Sequence, residues 1–462
     1  MLCTSTKKCR ALSDLSGVSV AIIGLGASGV AAARLALDRG GDVYVSDLRT
    51  EPAATARGAD LRSAGARVEL GGHDFERVAR ADIVVVSPGI PPAAPVLRAL
   101  SDRGVGWISE PEFAVRFFSA PLIAVTGTNG KTTTTLLVGH LLQKAGLRAA
   151  VGGNVGGGLA PAASELALRA QPPDWYVLEM SSFQLADVET FRPDISVITN
   201  LSPDHLDRYD GLDEYYADKA RILNRADADS IWVLPAGDVA VLSLMGEAPG
   251  TRFFFGEMEE TGTHAFVSDS ALTLRVGGEV DVLISAQELP LLGRHNLRNA
   301  LAASLTAELA GAQAKALADG LRSAVPLPHR LEPVADRDGV LWVNDSKATN
   351  VAATRSALMS LERPVVLLLG GTDKGEDFSR LVPDGAQMRS VLAYGAVGPR
   401  VANEVQGSEF VVGGLDVVVQ RAAEAARPGD VVLLSPACSS FDMFENYEQR
   451  GRRFSALARE SA

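Results

Sequence analysis

The stretch Leu122-Ile-Ala-Val-Thr-Gly-Thr-Asn-Gly-Lys-Thr-Thr-Thr134 decides how the chain is read. Leu122 to Val125 is a short apolar run with a β-branched bias, which predicts a buried strand. Gly127 and Gly130 bracket a tight turn, Lys131 and Thr132 follow at once, and Leu136-Leu-Val-Gly-His-Leu-Leu142 predicts a helix. Strand, glycine turn, Lys-Thr and helix together suit a nucleotide phosphate. Glycines let backbone N–H groups approach the anion, and the helix N-terminus adds its positive end. Lys131 supplies a mobile charge, and the Thr132 hydroxyl suits Mg²⁺. The strict phosphate-loop pattern has a glycine where Val125 stands, so this is a shortened form. A plain strand-to-helix turn is the competing reading.

On the N-terminal side, Val18-Ser-Val-Ala-Ile-Ile23 reads as a strand, Gly24-Leu-Gly-Ala-Ser-Gly29 as a glycine turn, Val30 to Leu37 as a helix, and Val43-Tyr-Val-Ser-Asp47 as a second strand ending in an acid. This is a dinucleotide-type fingerprint, with Asp47 at the spacing that meets a ribose or base. NAD(P), a diphosphate-linked nucleoside such as a UDP-sugar, and a scaffold whose glycines only allow close packing all remain open. Ala81 to Ser87 is a further buried strand stopped by a Pro/Gly cluster, and Val105 to Ile108 a short one. Ser109-Glu-Pro-Glu opens the next helix, which sets a domain boundary there.

On the C-terminal side, Gly152-Gly-Asn-Val-Gly-Gly-Gly158 reads as a loop. Trp175 to Gln184 is a strand turning at Glu179, and Ile195 to Asn200 is a strand running into Asp204-His-Leu-Asp-Arg-Tyr209. A helix from Leu212 to Leu223 carries Lys219. Glu179 and His205 lie at or just after strand ends, where a parallel sheet gathers its ligand-binding groups. Ile231 to Leu234, Phe253 to Phe255 and Ala271 to Val276 form a smaller β-rich portion. Asn296 and Asn299 share one face at the start of a long Ala/Leu helix, where Asn is a poor interior residue and points to ligand contact. Val325-Pro-Leu-Pro328 is a linker. Beyond it, strands at Val340–Val343, Pro364–Gly371, Ser390–Tyr394 and Val431–Ser435 alternate with helical segments, which predicts another parallel sheet.

The fold class expected is therefore α/β in three domains. Residues 1–109 form a Rossmann-like domain, 110–326 a central mononucleotide-binding domain with a parallel sheet and a small β portion, and 327–462 a second Rossmann-like domain. Length alone, 462 residues, suggests about three domains. A net charge of -12 argues against a broad nucleic-acid-binding surface. Cys3, Cys9 and Cys438 show no pairing pattern, there is no long apolar run to span a membrane, and Met1 to Arg10 lacks an apolar signal core. The expectation is a cytoplasmic protein.

These clusters together resemble the Mur ligase family. The resemblance covers nearly the whole chain and rests on Gly127-Thr-Asn-Gly-Lys-Thr132, Leu178-Glu-Met-Ser-Ser-Phe-Gln-Leu185, Asp204-His-Leu-Asp-Arg-Tyr209, Gly293-Arg-His-Asn-Leu-Arg-Asn299, Pro328-His-Arg330, Asn344-Asp-Ser-Lys-Ala-Thr-Asn350 and Ser435-Pro-Ala-Cys-Ser-Ser-Phe-Asp442. It implies that the three domains bind a UDP-sugar substrate, ATP and an amino acid in turn. The implied reaction is ATP-driven addition of D-glutamate to UDP-N-acetylmuramoyl-L-alanine through an acyl phosphate, by a monomer. ATP would contact Gly127, Thr128, Asn129, Gly130, Lys131, Thr132, Thr133, Asn296, Asn299, Arg330 and Asp345. Mg²⁺ would be held by Thr132, Glu179, His205 and a CO₂-derived carbamate on Lys219, with Lys131, His205 and Lys219 catalytic. Gly26, Ser28, Asp47, Asn154 and His205 would meet the UDP-substrate, and Lys347, Thr349, Lys374, Ser440 and Phe441 the D-glutamate. Leu48 stands where a Thr contacts uracil in some members.

Two readings from other classes compete. A dinucleotide-dependent oxidoreductase built on the first domain leaves the phosphate loop unexplained. A non-catalytic nucleotide switch would hydrolyse slowly whatever amino acid is present.

Overall fold

A computed structural model describes residues 14–156, 158–204, 209, 211–373 and 375–460. Its strands form three sheets. The first sheet is all parallel and runs in spatial order Arg67–Leu70, Asp42–Asp47, Ser19–Ile23, Ile83–Val86, Ile108–Ser109. The chain starts at Ser19–Ile23, builds outward on one side and then crosses to the other. The crevice outside the carboxyl end of that strand is therefore the topological switch point where such sheets bind ligands. The fifth strand covers only Ile108 and Ser109, a smaller and later piece than the Val105–Ile108 expected.

The central sheet has nine strands: Glu279–Ser285, Ala271–Val276, Thr263–Ser268, Thr251–Phe255, Ile231–Pro235, Ile195–Ile198, Leu122–Thr126, Trp175–Glu179 and Ala149–Gly153. The β-rich portion therefore extends the central sheet instead of forming one of its own. Ile231–Pro235 pairs in parallel with Ile195–Ile198, and the direction first reverses between Thr263–Ser268 and Ala271–Val276. Leu122–Thr126 is buried along its whole length, as a middle strand covered on both faces must be. Its register sets Val125 opposite both Glu179 and Val197, so the loops after Thr126, Glu179 and Ile198 leave the sheet at one level.

Two local readings change. The helix after the phosphate loop is Lys131–Lys144, so it begins at Lys131 and includes the β-branched run Thr132–Thr135. Thr134 and Thr135 are fully buried, and packing overrides their weak helix propensity. Gly152 and Gly153 end a strand. A Cβ on Gly152 would lie 2.6 Å from the Pro161 carbonyl oxygen, and one on Gly153 2.4 Å from that of Glu179. The glycines are there because neighbouring backbone presses on them.

The third sheet runs Glu332–Arg337, Val340–Asn344, Val431–Leu434, Val365–Gly370, Met388–Tyr394, Ser408–Phe410, parallel except for the antiparallel first pair. Apolar clusters cover both of its faces, one around Leu367 and Leu433, the other around Trp342 and Phe454.

The chain divides into two compact units. One holds the first two sheets and Asn299–Gly320; the other holds Ser285–Arg298 and everything from Leu321. One apolar core of the first unit runs from Val20 and Leu35 to Leu178 and Trp232, and a second cluster around Ile23, Val86 and Leu97 packs in the first sheet. Among the described residues, no helix is long and apolar enough to cross a membrane.

Candidate functional site

The glycine turn after Leu122–Thr126 is shaped by its neighbours. Gly127 has φ +136° and Gly130 φ +83°, conformations that side chains disfavour. A Cβ on Gly127 would lie 2.1 Å from Thr199 Oγ1, and one on Gly130 2.3 Å from Asn299 Oδ1. Residues at the end of the Ile195–Ile198 strand hold the turn from outside. The Thr128 N–H donates to the Asn200 carbonyl at 2.9 Å, and the Asn129 N–H to Asn200 Oδ1 at 3.0 Å. Thr199 Oγ1 donates to the Asn129 carbonyl at 2.6 Å. Gly130 then caps the Lys131–Lys144 helix, whose N-terminus faces the turn.

Two lysine nitrogens converge on one carbonyl of this turn. Lys131 Nζ donates to the Gly127 carbonyl at 3.1 Å and to that of Thr128 at 2.9 Å. Lys219 Nζ donates to the same Gly127 oxygen at 2.8 Å. Lys219 is 2% exposed and lies over the Tyr215 ring at 4.7 Å. The Tyr215 hydroxyl donates to Thr128 Oγ1 at 3.2 Å. Burial, and then the neighbouring charge of Lys131, push the Lys219 amine down to about 7 against the pull of Asp204, Glu179 and Asp218. A primary amine near that value is neutral enough to act as a nucleophile at ordinary pH.

Glu179 ends the neighbouring Trp175–Glu179 strand and is 2% exposed. Its Oε1 accepts from Asn154 Nδ2 at 3.0 Å, while Oε2 is buried with no hydrogen-bond partner among the described residues. An orphaned buried carboxylate oxygen beside a lysine-rich phosphate turn fits a hard cation such as Mg²⁺, which takes oxygen ligands. Thr132, in the first turn of the helix, adds a hydroxyl. His205 and Lys374 lie outside the described residues.

The long helix Arg294–Leu309 carries both asparagines. Asn299 is 6% exposed and its Oδ1 accepts from Thr134 Oγ1 at 3.4 Å, which sets it against the phosphate turn. Asn296 Nδ2 donates to the Leu292 carbonyl at 2.8 Å, within the second unit.

In the first sheet the glycine turn separates its roles. A Cβ on Gly29 would lie 1.9 Å from the Gly24 carbonyl oxygen, so helix and strand pack directly on one another there. Gly26 has open space around it and caps the Ala27–Asp38 helix, with Ser28 half-buried in its first turn. Asp47 ties this turn to the second strand: Oδ2 accepts the Leu25 N–H at 2.5 Å and Arg49 Nη2 at 2.7 Å, and Oδ1 accepts the Arg49 N–H at 2.8 Å. Burial works to raise the carboxyl, but the bonds from Arg49 and Leu25 outweigh it and hold it at about 2. Leu48 is exposed.

In the second unit, Arg330 is exposed and Asp345 is 7% exposed. Asp345 accepts from Ser435 Oγ at 2.7 Å and from the Leu331 N–H at 3.2 Å, and burial lifts it to about 7. Lys347 Nζ lies 5.8 Å from the centre of the Tyr447 ring. Ser440 is buried and Phe441 is 72% exposed. Behind them the fully buried Arg450 joins the segments that carry these residues. It donates to Ser346 Oγ at 2.9 Å, to the Ser346 carbonyl at 2.9 Å and to the Cys438 carbonyl at 3.1 Å.

Sequence reading missed Thr199, Asn200 and Tyr215, which shape the phosphate turn and seat Lys219, and it missed Arg450. Thr199 and Asn200 did carry a signal: they are polar residues at a strand's carboxyl end, the same mark that singled out Glu179.

Family models match three stretches of the chain. Residues 18–109 match the Mur ligase MurD-like N-terminal domain, 125–307 the Mur ligase middle domain, and 329–438 the Mur ligase glutamate ligase domain. A UDP-N-acetylmuramoylalanine–D-glutamate ligase of Acidobacterium capsulatum is 41% identical over 449 residues, 96% of each chain. One of Salinibacter ruber is 42% identical over 452 residues, 94% of this chain and 96% of the relative. Among solved structures, the MurF ligase of Thermotoga maritima in complex with ADP aligns with a TM-score of 0.59 at 15% identity, over 97% of this chain and 96% of its own. The UDP-N-acetylmuramate-alanine ligase MurC of the same organism gives 0.56 at 19%, over 96% and 100%. The structural likenesses carry the three-domain fold, and the relatives, similar from end to end at about two residues in five, carry the lineage: this chain belongs to the Mur ligase family.

Proposed function

We infer that the chain is an ATP-dependent ligase that joins D-glutamate to UDP-N-acetylmuramoyl-L-alanine, releasing ADP and phosphate in peptidoglycan precursor synthesis. The observation that carries this reading is the pair of lysines on the Gly127 carbonyl, one of them held near neutrality beside a half-satisfied Glu179. The similarity to D-glutamate ligases supports the choice of amino acid.

Phosphoryl transfer is mostly positioning and neutralisation of charge. The N–H groups of Gly127 to Thr133 would cradle the ATP phosphates, and Lys131 would swing from the turn's carbonyls onto the transferring phosphoryl group. Asn296, Asn299, Arg330 and Asp345 would hold the rest of ATP. Thr132, Glu179 and His205 would hold Mg²⁺ through oxygen and imidazole ligands, and the cation would supply positive charge against the phosphate oxygens. Lys219 would add its neutral amine to CO₂ with loss of a proton; the carbamate so formed is an anionic oxygen donor, which a lysine cation is not. The UDP-substrate would be held by Gly26, Ser28, Asp47, Asn154 and His205 so that its carboxylate oxygen attacks the phosphoryl group. D-glutamate, held by Lys347, Thr349, Lys374, Ser440 and Phe441, would then attack the acyl phosphate through its amine. Its two carboxylates explain a lining of lysines and hydroxyls. We assign residues 1–109, 110–326 and 327–462 to UDP-substrate, ATP and amino acid, and a monomer in the cytoplasm as the working form.

The test is phosphate release from ATP and Mg²⁺ with UDP-N-acetylmuramoyl-L-alanine and, separately, D-glutamate, L-glutamate, L-lysine or meso-diaminopimelate. Release that requires both the UDP-substrate and D-glutamate is the expected result. Release with another amino acid would overturn the reading of the last domain, and release independent of any amino acid would favour a nucleotide switch.

A further inference from the structure

Glu110 is a fully buried acid that the proposed chemistry does not use. It opens the helix Glu110–Val115, is 1% exposed, and packs beside the short helix Ala163–Ala167. The N-cap of that second helix is Ala162, which has no side chain able to cap the orphan N–H groups of the first turn. Glu110 does so from a distance. Its Oε1 accepts the Ser164 N–H at 2.5 Å, and its Oε2 is buried with no hydrogen-bond partner among the described residues. Glu165 adds a like charge nearby, and burial lifts the Glu110 carboxyl to about 7. With no cation among the causes acting on it from the described residues, the Glu110 carboxyl is costly to bury, and its bond to the Ser164 N–H offsets part of that cost.

The capped helix leads to the site. Leu166 presses on Gly152, where a Cβ would lie 2.9 Å from its Cδ1. Just before the helix, the Pro161 carbonyl accepts the Gly153 N–H at 3.0 Å. The next residue, Asn154, donates its N–H to the Glu179 carbonyl at 2.9 Å and its side chain to Glu179 Oε1 at 3.0 Å. On its other side the Glu110 segment is anchored by the Ser109 N–H on the Asp187 carbonyl at 2.8 Å.

We propose that Glu110 is a positioning residue: by capping the Ala163–Ala167 helix it holds Gly152–Asn154 in place, and so fixes the carboxylate of Glu179 and the amide of Asn154. The kinetic part of this proposal rests on the functional reading above; its structural part does not.

The full-length chain carrying Glu110→Leu is compared with Glu110→Gln, which keeps an acceptor oxygen for Ser164. In amide hydrogen exchange, the leucine variant should exchange Gly153, Asn154 and the Ala163–Ala167 helix about tenfold faster or more, with the Gly127–Gly130 turn unchanged. In turnover, its KM for UDP-N-acetylmuramoyl-L-alanine and its Mg²⁺ half-activation should both rise about tenfold. KM for ATP and for D-glutamate should stay within about twofold, and the glutamine variant within about threefold throughout. Ser164→Pro removes the donated N–H at a first-turn position that accepts proline and should reproduce the leucine shifts, which covers a leucine variant that fails to fold. Unchanged exchange, equal shifts for every substrate, or a glutamine variant as damaged as the leucine one would each overturn the proposal. Wild-type protein that releases no phosphate with D-glutamate would sink the functional reading alone, because hydrogen exchange needs no substrate.

Discussion

Two glycine turns follow the first strand of two sheets, and their surroundings differ. In the first sheet, Gly24 and Gly29 bring helix and strand into contact and leave Gly26 open, with an acid, Asp47, clamped onto the Leu25 N–H. In the central sheet, Gly127 and Gly130 are both pressed by neighbours, and two lysines sit on the turn. The first turn offers backbone and little charge, which suits a diphosphate that is held but not transferred. The second sets the charged Lys131 beside a near-neutral Lys219, which suits the phosphoryl transfer proposed above. On the proposed reading, a chain with two similar turns separates binding from chemistry by what surrounds the glycines.

The strongest way to break this contrast is to remove the buried lysine. Lys219→Ala should lower turnover by about three orders of magnitude or more, since the proposed carbamate would be an anionic oxygen donor worth on the order of several kcal/mol to the metal. Acetate should restore part of it while bicarbonate fails, because only acetate brings its own carboxylate. Turnover left undiminished without rescue would remove the carbamate. A smaller loss is expected from Gly127→Ala. The new methyl group would sit 2.1 Å from Thr199 Oγ1 and 3.0 Å from the Asn200 carbonyl oxygen, at φ +136°. Strain of about 1–3 kcal/mol in the turn proposed to cradle ATP should raise the KM for ATP by about tenfold to a hundredfold. The matching change in the other turn, Gly26→Ala, meets nothing within 4 Å. It should leave thermal unfolding unchanged and raise only the KM for the UDP-substrate, by about tenfold. A Gly26 variant that weakened ATP instead would erase the division of labour.

The sequence revealed this division unevenly. Strand, turn and helix order could be read because apolar runs and glycines mark them, and each polar cluster at a strand end pointed to ligand. Glu179 and Lys131 were visible for that reason. Thr199 and Asn200 shape the phosphate turn from about seventy residues away, a closeness that exists only once Leu122–Thr126 pairs with Ile195–Ile198. Glu110 looked like an ordinary first-turn helix acid, because a sequence does not show which acids are buried. Gly152 and Gly153 looked like loop residues because their reason for being glycine, pressure from Pro161 and Glu179, is also long-range. The strands Thr263–Ser268 and Glu332–Arg337 were missed because both mix polar and apolar residues in antiparallel pairings.

The smallest expected effect sharpens the comparison at its acidic end. Asp47 is held at about 2, below the ordinary carboxylate value of about 3.9, chiefly because bonds from Arg49 and the Leu25 N–H outweigh its burial. A carboxyl whose folded value is depressed stabilises the fold fully above the unfolded value and loses that contribution as protons bind on the way down. Asp47 should therefore stabilise the first domain fully above about pH 4 and progressively less towards pH 2. Arg49 is half exposed, so solvent screens the pair and the stake is about 1 kcal/mol. Asp47→Asn keeps the shape and removes the charge. Its unfolding midpoint should fall below that of the wild type at pH 7, and the gap should close as both are acidified through pH 4 to 2. The corresponding acid of the central sheet, Glu179, has a buried oxygen with no hydrogen-bond partner among the described residues, whereas Asp47 has both oxygens occupied. Added Mg²⁺ should then leave the Asp47→Asn gap where it was; a gap that changed with Mg²⁺ would mean that the first turn too handles cations, and the contrast between the two turns would fail.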